Sequence, residues 1–364
     1  MNHLNERAAH TGVSCRLVVA VAALLAWWWS FGVSKASGAE APLALERSIA
    51  IPGVPVGPYS DHMAIDVAGG RLFTTPQADK AVAVIDLNGG RVIKMIFGLG
   101  NPHAIYYSRQ LRRLFVSDGK SGSVIVFNSE NYSLIKRIPL ALGTDSLIYD
   151  PGSQLIYVMN GGEDAGMNES LVSVVDPVGM KKIADIRVAS VGQEGPVVDS
   201  KKGLLYLSFP EESAVGVVDL NKRRQIATWK VPAGAHSPFA LALDAAHDRL
   251  YVACRDDFHG FALHGTIFVL NTANGRSLAA LPIGGWVDGV FFDQKRQRIY
   301  ASTGVGYIDT YRFEANHLYR RLAPVETPLI AKTSLYSSEL DRFFISVPHL
   351  ADTEAQILVF KPSP

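Results

Sequence analysis

The sequence predicts an all-β ring of seven four-stranded antiparallel blades, and three observations carry that prediction. The first is a phrase repeated seven times after residue 60: an apolar run, a polar turn, then a short strand around an aromatic anchor. The anchors are Phe73, Phe115, Tyr157, Tyr206, Tyr251, Tyr300 and Phe344. The second is the period. Successive anchors lie 42, 42, 49, 45, 49 and 44 residues apart, and a repeat of roughly 40–50 residues made of short strands is that of a β-propeller, one blade per repeat. The third is a deficit: the last repeat stops after Ile357-Leu358-Val359-Phe360, one strand short of the others.

The first 39 residues stand outside the repeat. Arg7 and Arg16 precede the apolar run Leu17 to Trp29, and Ser37-Gly38-Ala39 places small residues ahead of a cleavage point. This is the outline of a secretory signal peptide over residues 1–39. The run is shorter than the roughly 20 apolar residues of a spanning helix, and Cys15 precedes it, where a lipidated cysteine would follow. The expectation is an exported chain, periplasmic or secreted, with residues 40–364 forming one propeller domain and no membrane association after cleavage. Cys254 would then be the sole remaining cysteine, which leaves no partner for an intrachain disulfide, and it reads as a small buried hydrophobe. Basic and acidic residues number 35 and 34 with no basic block, which argues against nucleic acid as a partner.

Next comes Leu43-Ala44-Leu45-Glu46-Arg47-Ser48-Ile49-Ala50-Ile51, a strand ahead of the first repeat and the obvious donor for the seventh blade. Pairing it there closes the ring and removes an orphan edge. Within each repeat, strand A is apolar and ends in a turn. Asp66, Asp150, Asp199, Asp244 and Asp293 lie seven residues before their anchors, with Ser108 and Ser337 in the other two blades. Such side chains hydrogen-bond nearby backbone N–H groups in tight turns, so their role is scaffold. Strand B carries the anchor (Arg71-Leu72-Phe73-Thr74). Strand C is β-branched and alternating (Ala81-Val82-Ala83-Val84-Ile85-Asp86), and an Asn88-Gly89-Gly90 turn leads into strand D.

Arg-Leu-Phe/Tyr-Val followed by Val-x-Val-Ile-Asp and a glycine turn resembles the YVTN-repeat β-propellers, a branch of the quinoprotein-like group that shares the WD40-like blade. Asp61-His62-Met63-Ala64-Ile65-Asp66 and Val347-Pro348-His349 resemble a bacterial exported subfamily. The resemblance implies the fold and an exported binding protein. It also admits catalysis, as in the related streptogramin lyase propellers.

Strand A would begin at the channel mouth and strand B return to it. Counting back twelve residues from each anchor gives Asp61, His103, Asp145, Glu194, Phe239, Asp288 and Lys332, six of seven ionisable. The next residue is small in every blade except at His62. A concave mouth with convergent polar groups is a ligand site, and His236 and His349 also stand near it in sequence. The expected ligand residues are therefore Asp61, His62, His103, Asp145, Glu194, His236, Asp288, Lys332 and His349. The expected function is binding of a small molecule, glycan or protein partner at the top face, with no catalysis assumed. The alternative is a metal-assisted lyase or hydrolase. There His62, His103 and His349 beside Asp61 hold a divalent transition metal, the one cofactor the residues suggest, and Glu194 or His236 is the general base. Crowded carboxylates should raise at least one pKa, and removing Glu194 or Asp288 should weaken binding while leaving folding intact. Two long B–C loops, around residues 160–169 and 255–264, would border the mouth, and Trp286 could stack on a ligand there. Trp229 reads as packing.

Overall fold

The computed structural model describes residues 41–57, 60–255 and 263–364. The proposed signal segment, and residues 256–262 of the second long loop, lie outside the described residues.

Seven antiparallel sheets follow one another along the chain, six in the order A-B-C-D. The first blade is Ser60–Asp66, Arg71–Pro76, Val82–Asp86 and Arg91–Ile96. The seventh completes itself as expected: Leu43–Ala50 pairs antiparallel with Gln356–Pro362, Leu43 opposite Pro362 and Ala50 opposite Gln356. Blade six has a broken outer edge, where Tyr319–Arg321 and Val325–Glu326 each pair with Tyr307–Phe313. The A strands neighbour one another around a closed circle, the first touching the seventh.

The core sits between blades. Seven apolar clusters are found among the described residues, one per interface, and each anchor fills the interface with the following blade. Phe73 packs with Val82 and Val84 of its own blade against Ile105, Leu114 and Val116 of the second. Phe344 performs the same closure from blade seven onto Leu72, Ala83 and Ile85 of blade one. All seven anchors are at most 2% exposed. Truncating one such ring to alanine typically costs about 3–5 kcal/mol, so the repeated aromatic joins the blades as well as marking them. Trp229 packs on Tyr206, ring centroids 5.7 Å apart, and Cys254 is buried at the end of its strand.

The lower A–B turns carry the side chains expected of them. Asp66 accepts from the Gly69 N–H at 2.9 Å, and Asp150 from Gly152 and Ser153 at 3.0 and 2.9 Å. Ser108 and Ser337 do the same for Leu111 and Leu340. At the upper end of strand A the ladder is irregular. In five blades the pairing with strand B slips at Asp61/Met63, Pro102/Ile105, Glu194/Val197, Pro238/Ala240 and Val287/Gly289. Bulges re-aim side chains, and in these five blades they fall at the residues twelve or eleven before the anchor.

Candidate functional site

His103 is the centre of one side of the mouth. Its Nδ1 lies 2.7 Å from Asp61 Oδ2 and 3.2 Å from Asp145 Oδ2. These three residues come from blades one, two and three, at equivalent positions, and their ligand atoms all lie within 4.8 Å of one another. The Gln77 amide donates to Asp61 Oδ2 at 2.9 Å, and the His62 backbone N–H donates to Asp61 Oδ1 at 2.8 Å. The Asn101 carboxamide faces His103 Nε2 at 2.8 Å. A Cβ at position 119 would stand 3.0 Å from that Nε2, so Gly119 keeps the space the imidazole occupies.

Burial disfavours a charged imidazole at His103. The hydrogen bond to Asp61 and the charges of Asp145, Asp61 and Asp118 outweigh it and push the ring up to about 9. His103 is thus an imidazolium at neutral pH, held between two carboxylates. Burial works against ionisation of Asp61 too, but His62 and His103 overcome it and hold this carboxyl below its ordinary value. Asp145 goes the other way: burial and the Asp61 charge raise it despite His103. Glu194 is raised well above the usual carboxylate range, by burial first and then by Asp145 and Asp61, with Arg255 only partly offsetting them. Among the described residues the Ser146 hydroxyl donates to its Oε2 at 3.5 Å, and it also lies 3.2 Å from Asp145 Oδ1. At both Asp145 and Glu194 burial is the larger cause of the upward shift, and neighbouring carboxylates add to it.

The opposite side is charge-complete. Asp288 receives Arg255 on Oδ1 at 2.7 Å, and Lys332 and Thr333 on Oδ2 at 2.8 and 2.9 Å. Burial opposes its charge, but Lys332 and Arg255 win and hold it far below the ordinary range. The Arg255 guanidinium lies over the Phe239 ring at 3.2 Å, and the Lys332 ammonium lies 5.6 Å from the Trp286 ring. Trp286 adopts a left-handed backbone, φ 56°, a costly conformation for a bulky residue. A Cβ at position 304 would stand 2.6 Å from its ring, so Gly304 makes room for it.

The mouth therefore gathers Asp61, His62, His103, Asp145, Glu194, Asp288 and Lys332. The histidine trio suggested as a metal set does not assemble. His349 Nδ1 donates to the Val54 carbonyl, and its own carbonyl accepts from Gly57, so this residue ties the segment before blade one to the seventh blade. His62 is 39% exposed, with Nε2 3.5 Å from Asp61. His236 is exposed and joins no ligand group. Glu194, the candidate general base, is a buried carboxyl raised by burial and by Asp145 and Asp61, beside the Ser146 hydroxyl. The first long loop turns back through a short 3-10 segment, Gly162–Ala165.

Sequence reasoning missed Arg255 and Gln77 as individual site residues. Both lie four residues after an anchor, where the other blades have Gly119, Gly161, Pro210, Gly304 and Pro348. Two functional side chains among glycines and prolines were the available signal.

No protein-family model matches the sequence, and no curated protein does. Solved structures do match. A chain of Kuenenia stuttgartiensis hydrazine synthase superposes with a TM-score of 0.70 at 16% identity, covering 86% of this chain and 99% of that one. A chain of the mitotic checkpoint complex gives 0.69 at 11% identity, covering 92% and 96%. At such identities the likeness is one of fold. The protein is a seven-bladed β-propeller.

Proposed function

We propose that this propeller is an exported binding protein of the YVTN-repeat type that takes a small polar ligand at the channel mouth. The observation that carries the reading is the convergence of equivalent positions from successive blades on one partly buried polar cluster. The charged side chains there are 11–30% exposed. That depth suits a small molecule or the end of a glycan, which can reach into the mouth, better than a flat protein surface. The two sides differ in what they offer. Asp288 is fully served by Arg255, Lys332 and Thr333, whereas Asp145 and Glu194 hold capacity for donors a ligand would bring. An amine- or hydroxyl-bearing ligand fits that side.

The test is a thermal-shift screen of the purified protein against sugars, polyols, amino acids and amines, followed by calorimetry on hits. A ligand whose affinity drops about tenfold or more in Asp145→Asn or Glu194→Gln supports the reading, as expected for loss of a charge-assisted hydrogen bond. Hits that bind both variants as well as the wild type place the site elsewhere and overturn it.

A further inference from the structure

We infer that Asp61, His103 and Asp145 form a site for one first-row divalent metal ion, and this rests on the reading of the mouth as a ligand site. Donors bound about 2.0–2.2 Å from a common ion stand about 3–3.5 Å apart around it. In the metal-free protein His103 Nδ1 carries a proton directed at Asp61 and Asp145, 2.7 and 3.2 Å away; the ion would displace that proton to solvent and take its place among the same three donor atoms. The donor set, one imidazole nitrogen and two carboxylate oxygens, suits zinc, cobalt or manganese better than calcium, which takes oxygen ligands.

Two further features point to an ion. The ligands are oriented by outer groups: the Gln77 amide on Asp61 and the Asn101 carboxamide on His103 Nε2, the arrangement that fixes ring and carboxylate orientation in metal centres. The two sides of the mouth also differ in charge balance. Asp288 has two cations in contact, while Asp61 and Asp145 share His103 and the more distant His62, and the charge of Arg255 only partly offsets the acids around Glu194. Each ligand comes from a different blade, so the ion would also cross-link three blades at the mouth. Glu194, beyond Ser146, is placed to meet a ligand of the ion rather than the ion itself.

The experiment is titration of chelator-treated protein with Co²⁺, followed by visible absorption and competition with Zn²⁺. The expected result is one equivalent bound, with a d–d band that Zn²⁺ abolishes. His103→Gln and Asp145→Asn should each weaken affinity more than tenfold. Gln77→Ala should weaken it about tenfold as a positioning change, and Glu130→Gln on the outer surface should change nothing. Because a variant can misfold, wild-type protein carrying ¹⁵N-histidine gives a second readout. Zn²⁺ should shift the His103 Nδ1 resonance and leave that of His247, at a lower turn, unmoved. Absence of Co²⁺ binding at millimolar concentration, binding indifferent to His103→Gln, or a preference for Ca²⁺ would overturn the inference. If no metal binds but organic ligands still respond to Asp145→Asn, only the metal assignment falls.

Discussion

Strand A has two ends in every blade, and they carry different chemistry. At the lower end five blades use Asp and two use Ser, and these side chains serve chiefly the backbone and side chains of their own turn, Asp150 also accepting from Ser200 of the next blade. At the upper end, five residues earlier, the blades present Asp, His, Asp, Glu, Phe, Asp and Lys. Those side chains meet one another across blade boundaries. A turn poses the same problem seven times and receives nearly the same answer. A mouth is built once from seven contributions, so its members need to be complementary rather than alike. In a repeat protein, uniformity at equivalent positions marks scaffold, and variation among ionisable types marks the site.

The largest effect should come from breaking what both ends depend on. Deleting Leu43–Ala50 removes the outer strand of blade seven, whose pairing runs from Leu43/Pro362 to Ala50/Gln356. An exposed edge on Gln356–Pro362 should then drive aggregation. Size-exclusion chromatography and a melting curve check this; a monomer with wild-type Tm would refute the closure.

Substitutions at the two ends sharpen the comparison. Asp293 accepts from the Lys295 and Arg296 N–H groups and pairs with the Arg296 guanidinium. Asp293→Ala should cost about 2–4 kcal/mol in urea unfolding. Asp288→Asn, at the mouth, should cost about 2–3 kcal/mol, because Arg255 and Lys332 would be left poorly neutralised. This revises the sequence-based expectation that Asp288 and Glu194 are equivalent and both dispensable for folding. Their neighbours come from other blades, so the difference was invisible in linear order.

A further effect is expected from pH. His103, Glu194 and Asp145 all have folded pKa values above their ordinary ones. Each therefore contributes stability that is complete below its unfolded pKa and lost as pH rises through the folded one. For His103 that window runs from 6.5 to about 9. The melting temperature should fall as pH rises from about 5 to 10, and His103→Gln should flatten the alkaline part. A Tm that climbs through this range would contradict the assigned charges.

The fold was legible because aromatic anchors repeat and each fills an interface between blades, a demand local enough to appear as a spacing. The ring twelve residues before each anchor was legible for the same reason. Partner choice was not. His349 and His236 stand near the mouth in sequence, yet one serves the Val54 carbonyl and the other faces solvent. Asp145 takes the place that the sequence reading gave to a histidine, because the metal-like cluster depends on which blades are adjacent and how a bulge aims a side chain.

The claim that the acidic side of the mouth exists for a ligand, and not for the fold, is tested most directly by Glu194→Gln. Substituting a crowded, partly buried carboxyl should relieve repulsion and leave the scaffold contacts untouched. Urea unfolding at pH 8, beside Asp293→Ala, is the measurement. The account predicts that Glu194→Gln is as stable as the wild type or slightly more stable, within about 0.5 kcal/mol, while Asp293→Ala loses several times that. A Glu194→Gln protein that unfolds as readily as Asp293→Ala would make the mouth part of the scaffold and contradict it.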